Sequence, residues 1–238
     1  MSRARALALC ASLAAAGCVE HATDHRAGTI DDPVSISARW TLQDLAGART
    51  ACPDGFDTAV LVTERADGSA RAMDRFACAD GSGESRALVD GDYTAWVEIR
   101  SSDLAALYAA SIPVTMTVAR LRQVLSVTIV NDAGYAALGW QLVDAAGRPT
   151  DCAALAPPSA IAVHGVDTAD ATNVFDDQVA CPPGRAVTHA VRPATYTIDV
   201  TALGGGATIG RASPVTATIG PRNAVTDLGT LPIALAPP

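Results

Sequence analysis

The side chains best suited to chemistry in this sequence are its four histidines. His21 and His25 have a spacing that would place both imidazoles on one face of a helix, where they could hold a divalent metal. The segment around them is polar and acidic, which favours a solvated tether over a metal site. His164 and His189 lie in the second half of the chain, and no spacing in the sequence sets either imidazole beside Asp176 or another partner.

Aspartate-rich loops are the second candidate for chemistry. The segments from Val166 to Asp170 and from Phe175 to Asp177 supply carboxylates of the kind that Ca²⁺ prefers. Neither segment has the D-x-[DN]-x-[DN]-G order of a calcium loop, which favours solvated acidic loops. The sequence also has no G-x-S-x-G, H-E-x-x-H, Walker or G-x-G-x-x-G motif. We therefore expect no metal, no cofactor and no catalytic residue.

A tandem duplication in the sequence indicates how the elements that carry these side chains are organised. Trp40 to Cys52 matches Trp140 to Cys152 at an offset of 100 residues, with seven of thirteen positions identical. At an offset of 103 residues, a second set recurs in the same order: Tyr93, Thr94 and Val97 as Tyr196, Thr197 and Val200. The duplication predicts two similar domains, which we place at residues 34–131 and 132–238.

Each copy has the alternating pattern of half-buried β-strands. Val34 to Leu42 alternates apolar with polar residues, and its counterpart from Ala136 to Leu142 alternates in the same phase. Further alternating runs are separated by turn signals such as Asp44 to Gly47, and short strands at this spacing are typical of antiparallel sandwiches. The stretch from Leu104 to Ala110 is compatible instead with one or two helical turns.

The first eighteen residues have the pattern of an export signal. A short positive segment precedes an apolar run from Ala6 to Ala16, and this run is shorter than the roughly 20 residues that span a bilayer. Leu13 to Cys18 (LAAAGC) resembles a bacterial lipobox, with Ala15 where that pattern prefers leucine. The resemblance implies a diacylglyceryl lipid on Cys18, cleavage after Gly17 and acylation of the new amino group. The alternative is an ordinary secretory signal that is cut nearby.

Four cysteines remain after the signal and the lipidated residue are set aside: Cys52, Cys78, Cys152 and Cys181. In an exported protein, four cysteines indicate two disulfides. Because the copies are duplicates, equivalent cysteines should pair within each copy, giving Cys52–Cys78 and Cys152–Cys181. Pairing between the copies is the alternative.

Turn and strand motifs in each copy resemble those of prealbumin-like modules, of which carboxypeptidase regulatory-like domains are the best-known members. In the first copy these motifs are an Asp67-Gly68-Ser69 turn and the segment from Gly91 to Val97, a G-x-Y-x-x-x-V strand. The resemblance covers each repeat loosely, and the second copy has Ala194 in place of the glycine. We predict an all-β fold of two tandem antiparallel Ig-like or prealbumin-like β-sandwich domains, each with one disulfide.

Four aromatic residues recur in both copies and are predicted to lie in the cores: Trp40, Trp140, Tyr93 and Tyr196. Trp96 has no aromatic counterpart in the second copy. By strand parity it points away from the Tyr93 face, beside Glu98 and Arg100. Two interpretations are equally favoured: Trp96 packs against the other domain, or it is an exposed binding anchor.

Cleavage of the signal would leave a strongly acidic mature chain. Removing Arg3 and Arg5 leaves 15 arginines against 25 acidic residues, a net charge of −10, and there is no lysine. An acidic chain without a basic cluster argues against a nucleic-acid partner. Arginine without lysine, together with abundant alanine, indicates a GC-rich bacterium.

The combined features predict a cell-envelope protein anchored by lipid on Cys18, with a signal at 1–17 and a flexible tether at 18–33. Val19 stands where an aspartate would favour the inner membrane, so delivery to the outer membrane is preferred. We predict a non-enzymatic binding or spacer module whose partner is an envelope protein or glycan. The alternatives are an envelope protein that binds a small ligand or metal and, less favoured, a hydrolytic enzyme.

Overall fold

The computed structural model describes residues 34–119 and 122–236 of the chain. These residues form β-strands connected by turns and two short 3-10 segments. Within these two ranges, no helix is long and apolar enough to cross a membrane. Cys18, His21 and His25 lie outside the described residues, as do the predicted signal and the whole of the predicted tether. The all-β class predicted from the alternating patterns is confirmed.

In its described residues, 34–119 and 122–131, the first copy forms a sandwich of eight strands with its own buried core. We call it the first sandwich. Its strands are β1 (Ile36–Gln43), β2 (Thr58–Arg65), β3 (Arg71–Ala77), β4 (Ser82–Glu84), β5 (Gly91–Arg100), β6 (Leu107–Ala110), β7 (Val114–Val118) and β8 (Gln123–Val130). One sheet has the order β4-β1-β8, and the other has the order β3-β2-β5-β6, with β7 also pairing with β5.

The second copy repeats this arrangement around a separate core, and we call it the second sandwich. Its strands are β9 (Gly134–Val143), β10 (Pro149–Thr150), β11 (Ser159–Asp167), β12 (Val174–Ala180), β13 (Arg185–Val187), β14 (Ala194–Gly204), β15 (Ala207–Arg211), β16 (Val215–Ile219) and β17 (Ala224–Leu235). A short ladder between β15 and β17 joins its two sheets along one edge. Only residues 131–133 separate β8 from β9, so the sandwiches follow each other without a long linker.

Among the described residues, the strand ladders are antiparallel apart from one pairing in each sandwich. The first strand of each copy runs parallel to the last, β1 with β8 and β9 with β17. A parallel ladder needs a long crossover connection, and here the strands of the opposite sheet supply it. This pairing differs from the antiparallel arrangement predicted from the sequence, because alternation of apolar and polar residues determines which face a side chain takes and not the direction of the strand.

Each core is built around a tryptophan and a disulfide. The disulfides join Cys52 to Cys78 and Cys152 to Cys181, as predicted from the duplication. The indole N–H of Trp40 donates to the carbonyl of Cys78 at 2.9 Å, so the ring is buried with its only polar atom satisfied. The second copy repeats this contact, with an N–O distance of 3.1 Å between Trp140 and Cys181.

Tyrosines hold the same corner in both sandwiches. The hydroxyl of Tyr93 donates to the carbonyl of Val89 at 3.0 Å, and that of Tyr196 donates to the carbonyl of Arg192 at 2.8 Å. Each tyrosine is buried near the start of its strand and binds backbone four residues upstream, which is the arrangement of a tyrosine corner in immunoglobulin-like sandwiches. The recurrence of these tyrosines in the sequence therefore reflects a packing role.

The segment from Leu104 to Ala110 is not helical, and this interpretation of its sequence was wrong. Leu104 has a φ of +63° in a turn, and the following residues form β6 against β5, with Ala109 opposite Ile99. A strand of four residues is too short to show clear alternation, and its conformation is set by the neighbouring strand. The difference matters because residues of β6 line a groove on the surface of the protein.

Candidate binding groove between the two sandwiches

An open groove of about 390 Å³ lies where the first sandwich meets the second. Strands β5 and β6 supply one wall, and the segment from Pro221 to Val225, which enters β17, supplies the other. Six side chains give this groove its character: Trp96, Leu107, Tyr108, Pro113, Arg222 and Val225. Five of the six are apolar or aromatic, so the groove combines an apolar surface with a cation.

Trp96 lies on the outer face of β5, as strand parity predicts. The ring is half-buried, and its indole N–H donates to Glu98 Oε1 at 2.9 Å. The guanidinium of Arg71 lies 5.4 Å from the ring centroid, a distance at which cation and ring attract each other. Trp96 is thus held in place by its own sandwich while one part of it lines the groove. Its role as a binding anchor stays a proposal.

Glu98 fixes the position of Trp96 on the outer face of β5. The side chain is buried, yet its carboxylate accepts hydrogen bonds from Trp96 and from Arg100 Nε, the latter at 2.5 Å. A buried carboxylate requires such partners, because an unpaired buried charge is strongly unfavourable. The Trp96–Glu98–Arg100 row therefore gives the outer face of β5 a fixed geometry.

Exposed apolar side chains stand on both walls of the groove. Leu107 is 48% exposed on β6, and Val225 is 43% exposed at the start of β17. The guanidinium of Arg222 lies 5.1 Å from the ring of Tyr108, so a residue of the second sandwich stacks on an aromatic residue of the first. A partner that covered this groove would bury apolar surface from both sandwiches and meet a cation at its edge.

A second cavity, of about 700 Å³, lies beside the disulfide of the second sandwich. It is lined by Trp140, Leu142, Leu155, Pro157 and both cysteines of that bridge. Its volume is in the range of small-molecule pockets in proteins.

The structure corrects the sequence analysis for two histidines, because it places each beside an aspartate. His164 Nδ1 lies 2.7 Å from Asp176 Oδ1, and His189 Nδ1 lies 2.9 Å from Asp177 Oδ2. Asp176 and Asp177 are successive residues of β12, so their side chains point to opposite faces and the two pairs are separate. Sequence spacing missed them because both are tertiary contacts: His164 and Asp176 pair across β11 and β12, and His189 reaches Asp177 from the segment after β13.

The first sandwich explains the role of one of these pairs. Asp74, the counterpart of Asp177, accepts a hydrogen bond from Arg86 Nε at 2.9 Å and another from the Arg86 backbone N–H at 3.2 Å. His189 repeats both contacts with Asp177, through its ring and through its backbone N–H. The histidine therefore occupies the position of a structural arginine, which favours a structural role for this pair over catalysis.

The aspartate-rich loop of the second sandwich directs its carboxylates to backbone and side-chain donors of the same loop. Hydrogen bonds from the Ala169 backbone and the Asn173 side chain lower the pKa of Asp167 below its usual value. Hydrogen bonds from the hydroxyl and backbone of Thr172 do the same for the pKa of Asp170. Across residues 34–119 and 122–236, no group of three or more histidine, cysteine, aspartate or glutamate side chains is arranged to hold a metal ion.

Comparisons with known proteins give only loose likenesses. No family model matches the chain, and neither does any curated protein. A leucine-rich repeat protein of Bacteroides thetaiotaomicron aligns with 85% of this chain at 12% identity and a TM-score of 0.35. The Bacillus anthracis TIE protein aligns with 82% at 12% identity and a TM-score of 0.28. This chain spans 26% and 33% of the lengths of those two proteins.

The minor pilin of Streptococcus agalactiae is a third such likeness. It aligns over 86% of this chain and 97% of its own length, at 10% identity and a TM-score of 0.31. Likenesses with TM-scores this low carry no argument about function. The candidate site of this protein is therefore defined by its own geometry, the groove between the two sandwiches.

Proposed function

We propose that the protein is a lipid-anchored cell-envelope protein that binds an envelope protein or glycan without catalysing a reaction. The observation that carries the proposal is the groove, which presents Trp96, Leu107 and Val225 on two sandwiches that touch each other. Aromatic and apolar side chains with a neighbouring arginine are the composition enriched at protein interfaces. Because the two walls already contact each other, less conformational entropy would be lost when a partner binds.

The anchor in this proposal is the lipid on Cys18. Several acyl chains on one residue suffice for stable attachment to a membrane, whereas one chain gives marginal binding. Val19 in place of an aspartate favours the outer membrane as the destination. Globomycin, which blocks cleavage of lipoprotein signals, should make the precursor accumulate, and the mature protein should carry acyl mass on Cys18. A protein processed normally under globomycin and free of acyl mass would contradict the anchor.

The structural role of His189 supports the non-enzymatic part of the proposal. Its counterpart in the first sandwich is Arg86, which makes the same contacts and has no acid–base chemistry near neutral pH. The His164–Asp176 pair is largely exposed, with side-chain exposures of 46% and 74%. Water at such a site weakens the electrostatic effects on which acid–base catalysis depends.

The groove is tested by placing charge on it. The double variant L107D/V225D changes one exposed apolar residue on each wall, and the matched control V124D/V174D changes two exposed valines elsewhere, again one per sandwich. The proteins are crosslinked in living cells and purified. Partners should copurify with the unmodified protein and with the control variant, but not with the groove variant. Equal recovery from both double variants would contradict a role for the groove.

The cavity beside Cys152–Cys181 supports a second candidate function, the binding of a small ligand in the envelope. Its walls are mainly apolar, with Gln141, Thr150, Asp151 and Ser159 as the polar side chains. Mass spectrometry of the gently purified protein should then find a small molecule that A153W releases, because Ala153 is exposed at the cavity and a large ring there would fill it. A protein that carries no such molecule would exclude this alternative.

A further inference from the structure

The two sandwiches differ along one edge. In the first sandwich this edge lies between β6 and the last strand, β8, and in the second it lies between β15 and the last strand, β17. In the second sandwich this edge is closed by a ladder between β15 and β17, in which Arg211 lies opposite Ala234. The two residues are bound backbone to backbone across the edge, and the two sheets become continuous.

Strand registers identify the corresponding positions in the first sandwich. Ala110 lies opposite Glu98 on β5 as Arg211 lies opposite Thr201 on β14, so Ala110 corresponds to Arg211. By the same reasoning, Val130 corresponds to Ala234, since each lies opposite the end of the first strand of its copy. Within the described part of the first copy, no ladder joins β6 to β8.

A side chain of the second sandwich stands at this open edge. Asn223 Oδ1 accepts a hydrogen bond from the backbone N–H of Val130 at 2.7 Å. Asn223 Nδ2 donates to the carbonyl of Ala110 at 2.8 Å. The side-chain amide thus offers the same acceptor and donor as a peptide group, and it binds the two residues whose counterparts pair directly in the second sandwich. Asn223 is 2% exposed, so water does not compete for these bonds.

The turn that carries Asn223 is fixed by its backbone. Arg222 and Asn223 have φ values of +64° and +59°, a left-handed conformation that asparagine tolerates better than most residues. The backbone N–H groups of Arg222 and Asn223 donate to the carbonyls of Asn131 and Ala133 at 2.9 and 2.8 Å. A Cβ on Gly134 would lie 2.1 Å from the carbonyl oxygen of Gly220, so only glycine allows this approach.

We propose that the Asn223 amide replaces a missing pair of strand residues and closes the first sandwich from the second. The chain leaves β8 at Asn131 to enter β9, so β8 cannot extend along β6 as β17 extends along β15. The second sandwich supplies the missing donor and acceptor. The two copies are therefore one folding unit, in which the first sandwich depends on the second for the integrity of its edge.

The test uses the intact protein as its host produces it and follows the exchange of the Val130 amide hydrogen. In N223G the backbone retains its left-handed conformation while the side-chain amide is lost. Exchange at Val130 should become about tenfold faster or more, because its acceptor is removed from a buried site. The control R222G retains the same turn and removes only the contact with Tyr108, so exchange at Val130 should change little.

A second variant keeps the test decisive if N223G folds poorly. N223D preserves the acceptor for Val130 but replaces the donor to Ala110 with an oxygen that repels the carbonyl. It should therefore loosen β6 more than β8, seen as faster exchange along β6. Unchanged exchange at Val130 in N223G, or equal effects of N223G and R222G, would overturn the proposal. Loss of partners in L107D/V225D has no bearing on this result, so the two proposals fail independently.

Discussion

Two buried threonines provide a prediction in which the same substitution acts in opposite directions. Thr63, on β2, is 1% exposed, and its hydroxyl has no hydrogen-bond partner among the described residues. Thr188, in the second sandwich, is 5% exposed, and its hydroxyl accepts the backbone N–H of Ala136 at 3.0 Å. Valine has nearly the shape of threonine, so either change alters polarity far more than volume.

The magnitudes follow from the hydrogen bonds. An unsatisfied buried hydroxyl costs about 1–3 kcal/mol, so T63V should raise the free energy of unfolding by about 1 kcal/mol or more. T188V instead leaves the N–H of Ala136 without an acceptor, which should lower the free energy of unfolding by about 1–3 kcal/mol. Ser85 makes the equivalent bond to Ile36 in the first sandwich, which supports a structural role for this hydroxyl.

Urea unfolding followed by tryptophan fluorescence measures both changes, since Trp40 and Trp140 report on the two cores. With a slope of about 2 kcal/mol per molar urea, a change of 1 kcal/mol moves the midpoint by about 0.5 M. The midpoint should rise for T63V and fall for T188V. A fall for both variants would refute the reasoning, because it would show that the Thr63 hydroxyl has a partner that valine cannot replace.

Replacing either cystine by two alanines should lower the free energy of unfolding by about 3.5 kcal/mol in urea titrations, since the bridges close loops of 26 and 29 residues. G134A should lower the thermal midpoint by several degrees, whereas G220A should not, because their added methyl groups would lie 2.1 and 3.6 Å from the nearest atoms. The lowered pKa values of Asp167 and Asp170 stabilise the fold above the unfolded pKa of about 3.9. This stability is lost as the pH falls through the folded values, so the thermal midpoint should drop below about pH 4, and D167N/D170N should reduce that drop.

Much of the fold could be predicted because the sequence contains two copies of the same module. The recurrence of a tryptophan, a tyrosine and two cysteines at matching positions identified the core of each sandwich and the pairing of its disulfide. Strand parity placed Trp96 on the outer face, beside Glu98, where the structure has it. These features are local or duplicated. A residue that recurs at the same position in both copies is identified as part of the common core.

The features that the sequence did not predict depend on contacts between distant residues. Asn223 binds residues 93 and 113 positions away, and the matching segment of the first copy, residues 113–130, contains no asparagine. The His189–Asp177 pair is twelve residues apart and forms only because β12 and the segment after β13 are neighbours. A signal was nevertheless present, since the duplication aligns these residues with Arg86 and Asp74, an opposite-charge pair at the same spacing.

The groove could be predicted from the sequence only in part. Trp96 could be selected from the sequence as an unduplicated aromatic residue, but its neighbours could not. Leu107 lay in a stretch whose sequence is also compatible with helical turns, and Val225 belongs to the other copy. A site formed by residues of both copies cannot be found by matching one copy to the other, because its residues have different roles in the two copies and do not recur.

The most direct test of the central claim, that the groove holds an envelope partner, is site-specific photocrosslinking in living cells. A benzophenone amino acid is placed at Leu107, inside the groove, or at Val124, which is 60% exposed on β8 and outside it. We predict a discrete crosslinked species from position 107 that is absent from position 124, and its mass spectrum would identify the partner. No adduct from position 107, or the same adducts from both positions, would contradict the claim.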